Sequence, residues 1–446
     1  MKENNKNNDP IQKFTSKDFA LLDNLQRETF EYFLKEQNPE NGLVKDSTMP
    51  KSPCSVAGLG MCLSAYIVAD KNKYFSRKEA AEKTLTLLNF LYNSPQGTGK
   101  DAIGYKGFYY HFIDMKTGKR AWSCELSTID TAILLAGVLT VGNYFLGKNR
   151  EETAIRELAD NIYRRIDWQW ALNGSDFLCH GWKPETGFLP YSWDSKYSEA
   201  HLLYIFAMGS TTFPISNKGY KKWIKTFEWK KLYGIEYFYA GPLFIHQMSQ
   251  VWLDFNGITD EINRQSGIDY FENSARATRV QQLYAIDNPS HFFQYGEKAW
   301  GFTASNGPGY RAVKVNGIER VFYDYVARGI PYGPDDGTIS PWAAVTSLPF
   351  APDIVLTVIK HAIEELELKK HSKYGFDASF NPTFPEIGAN PNGWISPWQY
   401  ALNQGPVILM IENFKSKLIW NTLKKCPYVI QGLKTANFEG GWLNDI

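Results

Sequence analysis

Two acids carry the clearest chemistry in this sequence. Asp130 lies in Ser127-Thr128-Ile129-Asp130, and Glu199 directly follows Ser198; each opens a strongly apolar run. A pair of carboxyls can protonate a leaving oxygen and activate a water, the requirement for cutting a glycosidic bond. Each acid also has an ordinary structural use. Ser-x-x-Asp is a capping-box pattern, and a glutamate at a helix start favours the positive end of the helix dipole. Their placement at two neighbouring helix mouths favours chemistry, with acid and base left unassigned between them. Glu125, five residues before Asp130, is a candidate for the same cleft. Asp335 and Asp336, in PYGPDDGTISPW, and Glu386, in NPTFPEIGANPNGW, compete from loops where a turn acid is the commoner role.

Aromatic residues gather around these acids in the sequence: Trp122, Trp182, Tyr191, Trp193, Trp300, Tyr310, Trp342 and Trp394. An aromatic face stacks on the C–H face of a sugar, while polar groups beside it fix orientation. The competing role for each is core filling. Arg276 and Arg279 are hydroxyl donors for a substrate or, equally, charges on an outer helix face. No nucleotide-binding glycine loop, GxSxG or HExxH occurs, and the seven histidines are scattered singly, which argues against a His-built metal centre and against nucleotide-dependent, metalloprotease or α/β-hydrolase chemistry. His246, on an apolar run, is expected to be a satisfied core histidine.

Elements must hold these residues. Six apolar segments start with Ser or Gly, usually followed by Pro: at Ser52-Pro53, Ser127, Ser198, Gly241-Pro242, Ser340-Pro341 and Ser396-Pro397. Serine is a good N-cap and proline a good first helical residue. A helix apolar on nearly every side must be buried on every side. Amphipathic stretches at 17–36, 77–93, 151–168, 217–228, 267–285 and 352–370 alternate with them and predict covering helices. The alternation predicts an all-α (α/α)6 barrel, a double ring of six inner and six outer helices. Hairpins are expected at 107–124, turning at Lys116-Thr117-Gly118, and at 310–327, turning at Asn316-Gly317. Both are placed at the cleft, with 286–309 and 371–396 as rim loops.

Composition narrows the partners. Lys+Arg 48 against Asp+Glu 47 gives a net charge of +1 with no basic block, which disfavours nucleic acid or an anionic membrane. The most apolar run, 131–146, is too short and interrupted for a membrane span. Fourteen Trp, 26 Tyr and 28 Phe suit a protein that stacks sugars. Five Cys without CxxC spacing are expected to be mostly buried thiols. Residues 1–16, polar and without an apolar stretch of signal type, are expected to be a flexible segment, and 17–446 one domain. The oligomeric state expected is a monomer.

The runs ELSTIDTAILLAGVLTVGNYF (125–145), YSEAHLLYIFAMGSTTFPI (197–215), AGPLFIHQMSQVWLDFNGITD (240–260), WGFTASNGPGY (300–310), DGTISPWAAVTSLPFAP (336–352) and WISPWQYALNQGPVILMIENFKSKLIW (394–420) resemble the glycoamylase-like family of glycoside hydrolases, which includes bacterial endo-β-1,2-glucanases. The resemblance spans about 25 to 425 in order. It implies an (α/α)6 barrel, no metal or organic cofactor, and hydrolysis of β-1,2-glucan or sophoro-oligosaccharides with inversion. It carries family acids onto Asp130 and Glu199, while a further family acid position falls on Ser127, with Glu125 the nearest alternative. It also implies a periplasmic or cell-surface location, no signal segment being present in this chain. The other readings are an α-glucan hydrolase of glucoamylase type and a non-catalytic glycan-binding barrel. Starch oligosaccharides discriminate the first, and binding without turnover the second.

Overall fold

The computed structural model describes residues 13–370, 372–385 and 392–446. Glu386 therefore lies outside the described residues, as do residues 1–12 of the segment expected to be flexible. Phe14, near the end of that segment, packs on Phe19 and Phe414 at ring distances of 5.9 and 4.9 Å. The fold is mostly helical, with small antiparallel sheets of two or three strands between the helices. No helix among the described residues is long and apolar enough to cross a membrane.

Local sequence explains many of the helix starts. Thr15 and Asp18 form a full capping box at Ser16–Lys35, and Ser76 with Glu79 forms another at Arg77–Asn93. Ser127 caps Thr128–Tyr144, and Pro341 is the first residue of Pro341–Thr346. Four expected starts move. The Val56–Lys71 helix begins after Ser55, because Cys54 and Ser55 pair with Phe112 and Ile113 as a short strand. Ala401–Ser416 begins after Tyr400, because Trp394 and Ile395 pair with Asn381 and Phe380. His201–Gly209 starts beyond Ser198, leaving Glu199 in the preceding turn. The fourth apolar run is split into Phe244–Gln247 and a 3-10 turn, Met248–Val251.

The apolar helices lie side by side. Pro341–Thr346 packs on Ala401–Ser416, which packs on Val56–Lys71, then Thr128–Tyr144, then His201–Gly209. Val56–Lys71 and Thr128–Tyr144 approach to backbone contact. A Cβ on Gly60 would lie 2.1 Å from the Ile133 carbonyl oxygen, and one on Gly137 2.2 Å from that of Gly60, so glycine is required at both. The 244–251 segment touches both ends of the series. Leu202 N–H donates to Ser249 Oγ (3.1 Å), and Gln247 Nε2 donates to the Ala343 carbonyl (2.7 Å).

Amphipathic helices cover this layer: Arg77–Asn93, Arg150–Arg164, Ser16–Lys35 and Pro352–Lys360 among them. Pro427–Thr435, which the sequence pattern did not single out, packs on His201–Gly209. The Arg311–Val315 and Ile318–Phe322 hairpin turns at Asn316-Gly317, both with positive φ, as the dipeptide predicts. The expected 107–124 hairpin is only partly one. Ile113 bridges Arg120, but Phe112 and Ile113 spend their pairing on Cys54 and Ser55. All five cysteines are free and buried. His246 is buried, its ring nitrogens 3.2 Å from the Ala240 carbonyl and 3.3 Å from Asn273 Nδ2, so it is the core histidine its context predicts.

Candidate active site

A three-stranded sheet feeds the helix that carries Asp130. Leu126 and Ser127 pair with Trp182 and Gly181, and the 181–183 strand pairs in turn with Gly187–Phe188. Ser127 Oγ accepts the Asp130 N–H (3.2 Å), so the cap is real. Only that arm of the capping box forms. The Asp130 carboxylate turns instead to the Ser127 hydroxyl, which donates to Oδ2, and to His111.

His111 is held by the chain on both sides. Its N–H donates to the Glu125 carbonyl (2.9 Å), and its own carbonyl accepts from Val56 N–H (3.0 Å) at the start of the neighbouring helix. Nδ1 lies 2.9 Å from Glu125 Oε1, Nε2 lies 3.6 Å from Asp130 Oδ1, and the Phe112 ring stacks at 4.0 Å. Burial alone would lower its pKa, but Asp130, Glu125 and Asp46 outweigh burial and raise it to about 9. The ring is therefore an imidazolium at neutral pH. Its hydrogen bond to Glu125 holds that carboxyl down at about 2, against the opposing effect of burial.

Glu199 has the opposite environment. It sits in the turn before His201–Gly209, its carbonyl accepting from the Ser249 hydroxyl (2.6 Å). Burial pushes its carboxyl up to about 7, and the charge of Asp130 adds to the rise. Asp46 is also raised, first by burial, with the Ser55 hydroxyl and His111 opposing and Asp130 reinforcing. Tyr325 is 66% exposed, and its phenol is raised by the protein packed around its hydroxyl end and by the charges of Asp46, Asp130 and Glu199. These groups thus share one electrostatic neighbourhood. Beside them opens a cleft of about 470 Å³, lined by Asp46, His111, Phe112, Asn306, Tyr325 and Tyr400 among others. The Asn306 amide donates to the Tyr400 hydroxyl (2.6 Å). Carboxyls, an amide, phenols and aromatic faces together match the needs of a hydroxyl-rich, C–H-faced ligand.

Sequence reasoning missed Asp46 and His111. Both are single residues in loops, and strand pairing between distant segments brings His111 to Asp130. The spacing of residues around either one carries no signal of it.

The other candidates separate by environment. Trp122 is 71% exposed and leans on Phe112 at 5.1 Å, so it offers a free face beside the cleft wall. Trp193 is half-buried, stacks on His180 at 4.1 Å and donates to Thr128 Oγ1 (3.2 Å). Trp182 stacks on Tyr105 at 4.9 Å, and Tyr310 is exposed beside Tyr323. Trp394 packs against a small cluster of Val315, Phe322 and Phe384. Trp300 and Trp342 are core residues and present no face to a ligand. Asp336 is buried and paired with buried Arg328 through two bonds of 2.7 and 2.8 Å, so it is a structural ion pair and not a substrate contact. Asp335 accepts from Tyr284 and Tyr295. Arg276 pairs with Glu272 and donates to the Glu236 carbonyl, while Arg279 pairs with Asp353, so both serve as helix-surface charges. No cluster of three or more His, Cys, Asp or Glu side chains among the described residues is placed to hold a metal ion.

Comparison with known proteins gives a consistent result. The family described as "Putative glucoamylase" matches residues 190–427. A solved structure of a protein titled a putative glucoamylase, from Bacteroides uniformis, superposes with a TM-score of 0.84 at 31% identity, covering 97% of this chain and 100% of that one. An endo-β-1,2-glucanase from Chitinophaga pinensis, solved with sophorotriose and glucose, gives 0.82 at 26% identity, covering 95% and 99%. An exo β-1,2-glucooligosaccharide sophorohydrolase (non-reducing end) from Parabacteroides distasonis is 26% identical over 94% of this chain. The chain spans 58% of the length of that curated relative. The chain belongs to this glucoamylase family.

Proposed function

From that membership we propose that the chain is a glycoside hydrolase acting on β-1,2-linked glucan or sophoro-oligosaccharides. What supports this reading is a pair of carboxyls, Glu199 and Asp130, close enough to feel each other's charge and next to His111 and Tyr325 of the cleft wall. Glu199, raised to about 7, holds its proton on the acid side of neutrality, where an ordinary glutamate has lost it. Asp130 accepts from the Ser127 hydroxyl and lies 3.6 Å from His111 Nε2. Environments that push two acids apart are how acid and base roles are divided. In the proposed step, Glu199 gives its proton to the glycosidic oxygen as the C–O bond breaks. Asp130 takes a proton from the water that forms the new bond to the anomeric carbon. Inversion goes with this division, which calls for a separation of roughly 6.5–9.5 Å between the two carboxyls.

Trp122, Trp193 and Tyr310 are the proposed sugar platforms, with Glu125, Trp182, Trp394 and Glu386 as further candidates for substrate contact. The helix contacts support an (α/α)6 double ring, with the 244–251 segment closing the inner layer. We take 17–446 as one domain, a monomer, working in the periplasm or at the cell surface, where an external glucan is met.

The test is product analysis on linear β-1,2-glucan, with soluble starch and β-1,3-glucan alongside and Glu199→Gln as control. Sophoro-oligosaccharides from the wild type and none from the variant support the reading. Products from starch alone would move the specificity to α-glucans. Glucan binding without products from any substrate would leave a glycan-binding barrel.

A further inference from the structure

We propose that His111 is a positioning residue, the centre of a Glu125–His111–Asp130 array that aims the Asp130 carboxylate. The inference rests on the hydrolase reading above and deepens it.

Geometry carries it. One imidazole bridges two carboxyls, 2.9 Å from Glu125 and 3.6 Å from Asp130, and it lines the cleft. A neutral ring carries one N–H. With that proton donated from Nδ1 to Glu125, a bare lone pair at Nε2 would face Asp130 and repel it. Only the imidazolium can serve both carboxylates. The groups facing the ring are Glu125 from the strand side, Asp130 from the neighbouring helix and Asp46 from the loop before Val56. Asp130 in turn faces Ser127, Glu199 and Tyr325. Three acids around one site would repel one another without a cation among them, and His111 is that cation. Ser127 completes the arrangement: where the family resemblance implies another acid, this chain has a hydroxyl that donates to Asp130. The Asp130 carboxylate is therefore held from two sides, by the Ser127 hydroxyl and by the His111 ring. Glu125, more exposed than Asp130 (28% against 13% for the side chains), anchors the far end of the ring.

The test uses His111→Gln and Glu125→Gln, with folding checked by thermal unfolding. On linear β-1,2-glucan, His111→Gln should lower kcat on the order of 10–100-fold and leave KM within about threefold. It should also move the acidic limb of kcat/KM up by about one pH unit, because the nearby positive charge is gone. Glu125→Gln, which leaves the ring in place, should move the limb the same way by less. A second readout does not need activity. The wild-type His111 ring, assigned in NMR spectra by its loss in His111→Gln, should titrate near pH 9 and shift toward neutral in Glu125→Gln. An active wild type with an unmoved acidic limb in His111→Gln would overturn the proposal. So would a ring that titrates at an ordinary pH near 6.5. A wild type that cleaves no glucan but keeps the high ring titration would instead overturn the hydrolase reading.

Discussion

Asp130 and Asp336 occupy similar places in the sequence and opposite places in the physics. Each lies close to the start of an apolar helix, Thr128–Tyr144 or Pro341–Thr346. Asp336 is sealed in: Arg328 grips both its oxygens, and the N–H groups of Tyr323 and Thr338 complete its hydrogen bonding. Burial would raise it, but Arg328 holds its carboxyl below the usual range. The same guanidinium donates to the Ser305 carbonyl (2.6 Å), so the pair braces a wall of the cleft without entering it. Asp130 keeps part of its surface open, with a histidine in place of an arginine as its counter-charge. An acid at a helix mouth is therefore framework or chemistry according to what neutralises it and whether water reaches it.

Substituting the two acids should separate these roles. Asp130→Asn should cost activity on the order of 10²–10⁴-fold while its melting temperature stays close to wild type. Asp336→Asn should do the reverse. It leaves Arg328 buried and unpaired, which costs about 3–5 kcal/mol, while activity per folded molecule is largely kept. Kinetics beside denaturant unfolding measures both. An Asp130 variant that fails to fold, or an Asp336 variant that is stable and inactive, would break the comparison. pH sharpens it. The folded Asp336 carboxyl is depressed, so the stability it contributes is present above its unfolded value, about pH 4, and is lost as pH falls through the folded one. The melting gap between wild type and Asp336→Asn should therefore narrow on acidification.

Glu199 supplies a third case, an acid with neither arginine nor histidine. Its folded pKa, about 7, lies above the ordinary 4.5. The folded state thus holds the proton more tightly, and the group costs stability as pH rises from 4.5 through 7. Glu199→Gln removes that cost. The variant should melt higher than wild type at pH 8, by about 1–3 °C, and match it at pH 4. The wild-type activity should decline over the same rise in pH as the proton donor empties. A Glu199→Gln protein less stable than wild type at pH 8 would mean that the carboxylate has a partner in the folded state.

The acids at helix mouths were legible because capping and charge preferences act over three or four residues. Arg77–Asn93 and Thr128–Tyr144 were legible for the same reason: Ser76 and Ser127 start them locally. Where a distant strand competes for a Ser-Pro start, as Phe112–Ile113 does at 54–55, the local signal misplaces the helix. His111 was invisible on its own, since its meaning comes from Glu125 and Asp130, which the bridge between Tyr110 and Leu126 brings alongside it. Trp300 and Trp122 differ by full burial against 71% exposure, yet the sequence around them offers the same mixture of small and polar residues. Tertiary packing alone decides which aromatic is left exposed and which is core.

Ser127 tests the comparison most finely, because one hydroxyl serves both the framework and the acid. As a cap it accepts the Asp130 N–H, and as a donor it holds Asp130 Oδ2. Ser127→Ala removes both. Loss of the cap should cost about 0.5–2 kcal/mol of stability. Loss of the hydrogen bond that aims the carboxylate, worth about 1.5–3 kcal/mol to a charged group, should lower kcat/KM by about tenfold or more. Ser127→Asp separates the two roles. It preserves the cap, since aspartate ranks with serine there, but sets a second negative charge beside Asp130. Stability near wild type with a further loss of activity around neutral pH would show that this chain depends on a neutral donor where the family resemblance implies an acid. Full activity in Ser127→Asp would show the reverse, that the array around Asp130 tolerates the additional charge because His111 already balances it.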